Sequence, residues 1–173
     1  MSNWSRIVLA LLLMAGLVYA AAMAWLYLRQ ERLLFQPTPL PAEHRFAKGA
    51  DVQELSIDVP GATLSALHLK LAQPKGLVFF LHGNGGNLDS WFVNTDFYRQ
   101  AGFDLFMLDY RGYGKSSGQI ASEAQLRADV LAAWNRIAPQ YRGLQRVIYG
   151  RSLGSGLAAG LAAEVQPELT VLV

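Results

Sequence analysis

The sequence predicts an α/β fold: a doubly wound, mostly parallel sheet preceded by one N-terminal transmembrane helix. Two observations support this prediction. An uncharged and almost wholly apolar run covers Ile7–Leu28. In the rest of the chain, short continuous apolar segments, typical of strands buried on both faces, alternate with helix-like segments. Alternation of this kind produces a parallel sheet with helices on both faces.

The composition of the 173 residues excludes several classes of protein. Hydrophobic residues make up 52% of the chain, cysteine is absent and the formal net charge is +2. Collagen-like, disulfide-stapled and wholly disordered chains have different compositions. A charge so close to zero gives no reason to expect a nucleic-acid partner. The absence of cysteine removes thiol nucleophiles and thiolate metal ligands.

The apolar run Ile7–Leu28 is predicted to be a membrane anchor. As a helix it would be about 33 Å long, enough to cross a hydrocarbon core of about 30 Å. Trp4 and Trp25 lie near its ends, where interfacial aromatic residues are expected. A signal peptide cleaved after Val18–Ala20 is an alternative, although its apolar region would be shorter. A buried core helix fits poorly because no face carries polar residues.

The basic residues around the anchor leave its orientation undecided. Arg6 precedes the run and four basic residues follow it before residue 50, which weakly favours a cytoplasmic globular part. We therefore predict a single-pass membrane protein and leave undecided on which side of the membrane its globular part lies. We divide the chain into a transmembrane anchor (1–29), a proline-rich tether (30–50) and a partial α/β domain (51–173).

The tether and the domain have the following predicted elements. Gln36–Pro41 contains three prolines, which favour an extended segment. A hairpin is predicted at Pro60–Gly61. Ser122 and Gln125 are expected to form a capping box at the start of the second helix of the domain. The predicted strands are Val52–Val59, Thr63–Leu71, Leu77–Leu81, Asp104–Leu108, Arg146–Tyr149 and Leu169–Val173, and the predicted helices are Leu88–Ala101, Ser122–Ala138 and Leu153–Val165.

Gly150-Arg151-Ser152-Leu153-Gly154 is the motif that indicates chemistry. It has the pattern Gly-x-Ser-x-Gly between a predicted strand and a predicted helix, which is the context of a nucleophile elbow. The turn is so sharp that only small residues fit at Gly150 and Gly154. It would expose the hydroxyl of Ser152 as a catalytic nucleophile and direct the backbone N–H of Leu153 at a developing oxyanion. The alternative is an ordinary turn in which the serine caps a helix.

A second glycine-rich loop follows the strand that ends at Leu81. In this oxyanion loop His82, Gly83 and Gly85 surround Asn84, whose backbone N–H is the predicted second oxyanion donor. The alternative is an ordinary strand-to-helix turn with a structural histidine. Both predicted donors would then face the serine from opposite sides.

Three loops together resemble those of the α/β-hydrolase fold. They are Leu81–Gly85, Asp109–Gly114 and Gly150–Gly154, in this order and spacing. More narrowly they resemble the membrane-anchored bud-emergence (Bem) type, near the serine aminopeptidase and monoacylglycerol lipase branch. In that group an N-terminal span is followed by a segment similar to Arg32–Pro37. The charged residues of the middle loop are expected to be scaffold.

The resemblance covers about residues 30 to 173 and implies a serine hydrolase. Ser152 would be its nucleophile, and Asn84 and Leu153 would form the oxyanion hole. The family's triad order is Ser, then Asp or Glu, then His, and no histidine follows Ser152. Glu164 and Glu168 do not follow a later strand as the family's acid does. The histidines, all upstream, are His44, His68 and His82.

These departures predict a C-terminally truncated hydrolase domain, either a partial sequence or an early stop after Val173. The predicted function is hydrolysis of an ester, thioester or amide in a small-molecule or lipid-like acyl substrate, through an acyl-enzyme on Ser152. Without a general base the serine hydroxyl is poorly activated, so the truncated chain is expected to be inactive or nearly so. The alternative is a non-catalytic pseudo-hydrolase that binds a lipid or a protein partner at the membrane.

The sequence gives little support for a dinucleotide-binding site or for a metal site. Gly154–Ala159 matches a dinucleotide fingerprint, but it begins four residues too late after its strand, and its ribose-binding acid would lie past the chain end. The scattered histidines, with no cysteine and no His-Glu-x-x-His motif, predict no metal site. No cofactor and no nucleic-acid partner are expected.

Overall fold

The computed structural model describes residues 2–173, apart from the side chains of residues 31 and 32. Its contacts form two units that meet in the sequence between Phe35 and Gln36. The helices are α1 (Asn3–Leu34), α2 (Leu88–Trp91), α3 (Thr95–Ala101), α4 (Glu123–Ile137), a 3₁₀ helix (Ala138–Tyr141) and α5 (Leu153–Val165). The strands are β1 (Gln36–Pro37), β2 (Val52–Val59), β3 (Ala62–Leu69), β4 (Gly76–Leu81), β5 (Gly85–Gly86), β6 (Phe103–Leu108), β7 (Gln145–Gly150) and β8 (Leu169–Leu172).

The first unit is the long helix α1, which contains the predicted anchor. The helix continues past the apolar run as far as Leu34. Its apolar side chains are exposed, as Leu17 shows with 72% of its surface accessible. Among the described helices, α1 is long and apolar enough over Asn3–Gln30 to cross a membrane. A helix that is apolar on every face suits a lipid environment, because its backbone is satisfied internally.

The second unit contains a six-stranded sheet in the order β2-β3-β6-β4-β7-β8. The strands β2 and β3 form an antiparallel hairpin, and β3 also runs antiparallel to β6. From β6 through β8 every neighbouring pair is parallel. The mostly parallel sheet is therefore confirmed, and the pairing of Val59 with Ala62 confirms the hairpin at Pro60–Gly61.

The central strand β4 is buried on both faces, as its continuous apolar run indicates. On one face Phe79 stacks on Phe106, with ring centroids 5.0 Å apart, and Trp134 of α4 packs edge-on against Phe79. On the other face Phe80 belongs to an apolar cluster that includes Phe92, just after α2. Burying one large apolar side chain contributes about 1.5–3 kcal/mol, so two apolar layers hold the central strand.

The carboxyl ends of the central parallel strands lie side by side. Phe80 of β4 pairs with Met107 of β6, and Leu81 of β4 pairs with Gly150 of β7. The loops that follow these three strands therefore start from one edge of the sheet. In open parallel sheets this edge is where ligands bind.

The prediction of a single helix over Leu88–Ala101 is wrong. The structure has the short helix α2 and the separate helix α3. A capping box between Asn87 and Ser90 starts α2. Asn94 then adopts a left-handed conformation with φ 54°, which an α-helix cannot continue through.

The capping box predicted for α4 is only half formed. The hydroxyl of Ser122 accepts a hydrogen bond from the backbone N–H of Gln125, as expected. The side-chain oxygen of Gln125 accepts from the N–H of Ala121 instead of that of Ser122. Pro139 lies in the 3₁₀ helix that follows α4, so the α-helix ends where the proline predicted it would.

The proline-containing segment Gln36–Pro41 begins the second unit. As predicted it is not helical, and β1 pairs in parallel with β5 of the oxyanion loop. Pro39 forms an isolated bridge with Gly114 of the loop after β6. The segment therefore lies along two of the loops at the carboxyl edge of the sheet.

Candidate active site

Ser152 stands on a strained turn between β7 and α5. Its backbone has φ 53° and ψ −121°, a region that residues with a side chain rarely adopt. Such a conformation costs about 1–3 kcal/mol and persists only where the surroundings impose it. The residue is exposed. The turn therefore leaves Ser152 exposed after the carboxyl end of β7.

The two elbow glycines are sterically required. A Cβ at Gly150 would lie 2.5 Å from the carbonyl oxygen of Gly154. A Cβ at Gly154 would overlap the carbonyl oxygen of Leu81 on the neighbouring strand. These close approaches agree with the steric argument from the motif: any side chain at either position would force the turn open.

The structure brings the elbow and the oxyanion loop together. The backbone N–H of Arg151 donates to the carbonyl oxygen of Leu81 at 3.1 Å. A Cβ on Gly83 would lie 3.5 Å from the carbonyl oxygen of Arg151. The loop carrying Asn84 thus starts beside the turn carrying Ser152, although the two lie some seventy residues apart in the sequence.

The N–H of Leu153 is available for an oxyanion. It lies in the first turn of α5, where N–H groups have no partner within the helix. The N–H groups of Gly154 and Ser155 donate to Arg151 and Ser152. Among the described residues, no acceptor is present for the N–H of Leu153 or for that of Asn84. The positive end of the α5 dipole adds to the attraction for negative charge at this point.

The carbonyl oxygens of the oxyanion loop all accept hydrogen bonds from outside the loop's own backbone. Three aromatic side chains supply donors, and a histidine and the proline segment supply the others. Because these carbonyls are occupied, the loop cannot rotate freely about its glycines. The donors are Tyr110 to His82, His82 Nδ1 to Gly83, Tyr113 to Asn84, Trp91 to Gly85 and the Thr38 N–H to Gly86.

His82 is buried and serves the loop. Its Nδ1 lies 2.8 Å from the carbonyl oxygen of Gly83 and must carry the proton, because a carbonyl only accepts. Its Nε2 lies 3.6 Å from the carboxylate of Asp109, and both side chains are fully buried. Burial raises the pKa of Asp109 above its usual range, while the neighbouring His82 and the hydrogen bond that the carboxylate accepts from the Leu88 N–H oppose the rise.

The other histidines also have partners. His44 lies 2.8 Å from the carboxylate of Asp89. His68 is buried, and its Nε2 lies 2.7 Å from the hydroxyl of Tyr141. Among residues 2–173, no histidine hydrogen-bonds to the hydroxyl of Ser152. The described site therefore contains a nucleophile candidate and two oxyanion-donor candidates without a base in contact.

A cavity of about 430 Å³ lies beside the elbow. Gly85 of the oxyanion loop and Arg151 of the elbow both line it, together with apolar side chains such as Phe80 and Tyr149. The guanidinium of Arg151 lies 5.6 Å from the ring centroid of Trp91. A group bound here would lie against Arg151, the residue that precedes Ser152 in the elbow.

Sequence reasoning missed the side chains that hold the oxyanion loop. Tyr110 and Tyr113 lie in the middle loop, for which the sequence prediction concerned only the charged residues, and both rings are buried against His82 of the oxyanion loop. Trp91 lies on the short helix α2. The alternation of proline with donor-bearing residues over Gln36–Pro41 is the signal that could have found the docked segment.

Comparison with known proteins adds independent information. Residues 72–173 match the family described as "Serine aminopeptidase, S33". Protein bem46 of Schizosaccharomyces pombe is 32% identical over 99 residues, which are 56% of this chain and 33% of that protein. Human alpha/beta hydrolase domain-containing protein 17B is 33% identical over 103 residues, 57% of this chain and 35% of that protein.

A membrane protein of Saccharomyces cerevisiae matches over a longer stretch. It is 30% identical over 151 residues, which are 83% of this chain and 53% of that protein. The chain thus spans about a third to a half of the length of these relatives.

Solved structures share the fold. An α/β hydrolase of Vibrio vulnificus is 25% identical and superposes with a TM-score of 0.58, covering 69% of this chain and 43% of that one. An α/β serine hydrolase without a lid from Xanthomonas campestris is 18% identical with a TM-score of 0.61, covering 72% and 61%. The α/β-hydrolase fold predicted from the three loops is confirmed.

Proposed function

Because the chain belongs to the serine aminopeptidase S33 family of α/β-hydrolases, we propose that it is a membrane-anchored serine hydrolase with Ser152 as its nucleophile. One observation carries the proposal: a non-glycine residue with φ 53° stands between a strand and a helix, and glycines that cannot bear a side chain flank it. A residue that only capped the helix would have no need of this strain.

The chemistry that we propose is acyl transfer to the serine. The oxygen of Ser152 forms a bond to the substrate carbonyl carbon, and the carbonyl oxygen takes up negative charge. The N–H groups of Leu153 and Asn84 stabilise that charge. The bond to the leaving alcohol, thiol or amine breaks, and the leaving group takes the proton lost by the serine. Water then releases the acid from the acyl-enzyme in the same way.

The proton transfer in this reaction needs a general base. No histidine within residues 2–173 hydrogen-bonds to the hydroxyl of Ser152, so for this stretch alone we propose at most the slow reaction that oxyanion stabilisation supports. We further propose that residues 1–29 anchor the chain by a single membrane span, that residues 30–50, of which 30–34 complete α1 and 36–40 lie on the loops, connect this anchor to the domain, and that 51–173 are part of a hydrolase domain. The proposed substrate is a small-molecule or lipid-like acyl compound, since part of the lining of the cavity beside the elbow is apolar, including Phe80 and Leu105.

A fluorophosphonate probe tests the proposal. We expect the protein to be labelled slowly on Ser152, as a serine without a general base would be, and Ser152→Ala to abolish the labelling. Ser155→Ala is a matched control because Ser155 lies one helical turn away and its hydroxyl donates to the carbonyl oxygen of Ser152. It should keep the labelling. Equal labelling of Ser152→Ala, or no labelling of the folded protein, would favour the non-catalytic alternative that binds a lipid or a protein partner.

A further inference from the structure

We infer that the juxtamembrane strand, residues 36–40, orients the oxyanion loop, with Tyr113 as the positioning residue that connects them. The inference rests on the proposed function in one respect, since it takes Asn84 as an oxyanion donor. Its structural part stands independently: a segment next to the membrane helix in the sequence is hydrogen-bonded into the loop beside the elbow.

The first step is the contact between the strand and Asn84. The backbone N–H of Gln36 donates both to the side-chain oxygen of Asn84, at 3.0 Å, and to the hydroxyl of Tyr113, at 3.2 Å. The same tyrosine hydroxyl donates to the carbonyl oxygen of Asn84. Asn84 is thus held at its side chain and at its main chain. One tyrosine oxygen, on a fully buried ring, joins the strand to the loop.

The second step is the attachment of Thr38 to two loops. Its N–H donates to the carbonyl oxygen of Gly86 in the oxyanion loop, at 3.3 Å. Its carbonyl oxygen accepts from the N–H of Gly114, at 3.2 Å, and from the side-chain amide of Asn87, at 2.9 Å. The N–H of Leu40 donates to the carbonyl oxygen of Gly114. The strand therefore connects the oxyanion loop with the loop after β6.

The third step is the match between sequence and hydrogen bonding. Residues 36, 38 and 40 all donate toward the loops, and residues 37, 39 and 41 are prolines, which have no N–H. In a strand, alternate residues direct their N–H groups to the same side. Each residue that faces the loops thus keeps its donor. This pairing explains why three prolines are tolerated beside a site that depends on backbone hydrogen bonds.

The connection to the anchor is short. Only Phe35 separates the last residue of α1, Leu34, from Gln36. A long unstructured tether would let the loops and the membrane helix move independently. Here the strand that is hydrogen-bonded to the loops begins two residues after the helix ends. The oxyanion loop thus depends on a segment that a hydrolase domain defined from β2 onward would leave out.

A pair of variants at one position provides the test. In Gln36→Pro the N–H that donates to Asn84 and Tyr113 is absent, whereas Gln36→Ala keeps it; the side chain itself is exposed. Proline is compatible with the extended backbone of β1. Tyr113→Phe removes the connecting hydroxyl. Tyr141→Phe is its control, since it removes a buried hydroxyl that hydrogen-bonds Asp104 and His68 instead of the loop.

Amide hydrogen exchange of residues 83–87 is the first measurement, made on the full chain in detergent micelles. Loss of one hydrogen bond changes a local equilibrium by about fivefold to tenfold. We expect exchange to accelerate by that factor in Gln36→Pro and Tyr113→Phe, and to match the unmodified protein in Gln36→Ala and Tyr141→Phe. Unchanged exchange in both test variants would overturn the inference.

The second measurement is fluorophosphonate labelling of Ser152. In the same two variants we expect the maximal labelling rate to fall by about fivefold to tenfold, at an unchanged half-saturating probe concentration. A purely structural role would lower the folded fraction and leave the rate per folded molecule unchanged, and that result would refute the positioning role. If Ser152 of the unmodified protein is never labelled, the proposed function fails, and hydrogen exchange still decides whether the strand orders the loop.

Discussion

The imidazole of His82 donates a hydrogen bond from Nδ1 to the carbonyl oxygen of Gly83, the next residue in the chain, at 2.8 Å. A peptide unit is planar and trans, so the carbonyl of one residue and the N–H of the next point in opposite directions. By fixing the oxygen of Gly83, the histidine fixes the direction of the Asn84 N–H. His82 thus sets the orientation of the peptide between Gly83 and Asn84.

This geometry predicts the effect of replacing His82. His82→Phe keeps a ring but removes the donor, which leaves the Gly83 carbonyl unpaired; we expect the free energy of unfolding to fall by about 1–3 kcal/mol. His82→Asn places an amide N–H near the position of Nδ1 and should recover part of the loss. Denaturant unfolding of the three proteins measures both effects. Equal destabilisation by the two variants would contradict a role for this hydrogen bond.

The strain at Ser152 predicts a difference between two variants. Glycine adopts φ 53° without penalty, whereas alanine retains the strain. We expect Ser152→Gly to be more stable than Ser152→Ala by about 1–2 kcal/mol, despite the greater flexibility of glycine in the unfolded chain. Thermal or denaturant unfolding gives the comparison. If the alanine variant were the more stable, the turn would be relaxed rather than strained.

Two glycines on α5 predict opposite outcomes for the same substitution. Gly154→Ala introduces a methyl group against the carbonyl oxygens of Leu81 and His82 and should destabilise by about 1–3 kcal/mol or more. Gly156→Ala meets nothing within 4 Å and should stabilise the helix by about 0.5–1 kcal/mol. Unfolding midpoints measured side by side test the pair. A similar loss from both would show that the close approach at Gly154 is not the cause.

The buried His68 predicts a loss of stability in mild acid. Burial, and then the charge of Lys70, lower the pKa of His68 to about 4 from its ordinary 6.5. Between these values the unfolded chain binds a proton that the folded one does not, so stability is full above pH 6.5 and declines as pH falls toward 4. Over this pH interval the preferential protonation of His68 in the unfolded chain lowers the free energy of unfolding by about 3 kcal/mol.

A matched variant isolates that contribution. His68→Gln keeps an N–H donor for the hydroxyl of Tyr141 but cannot titrate. The difference in unfolding free energy between the two proteins should therefore change with pH over this interval and become constant above it. A difference that is flat from pH 4 to 7 would mean that His68 titrates alike in both states.

The sheet and its three loops could be predicted because their signals are local. Continuous apolar runs mark the buried strands, and the spacing of Gly150 and Gly154 around the serine reflects a steric requirement that the close approach to Leu81 explains. The break at Asn94 was missed because a left-handed residue in the middle of an apparently continuous helical segment leaves no periodic signal.

The residues that hold the oxyanion loop could not be predicted from local patterns. Gln36 donates to Asn84 from 48 positions away, and Tyr113 acts on Asn84 from 29 positions away. These bonds depend on how the loops meet in three dimensions. The sequence left His82 as either a residue of an oxyanion loop or a structural histidine, and its hydrogen bond to Gly83 could not be predicted because it depends on the local course of the loop.

The prolines of the juxtamembrane strand have a consequence on the side that faces away from the loops. There Pro37, Pro39 and Pro41 offer no N–H, while every donor of the strand is used on the inner side. An extended peptide needs both donors and acceptors to add to a sheet edge. A second copy of the chain or an unfolded neighbour therefore meets no N–H donor on the outer side of this strand, which disfavours β-sheet extension from that side.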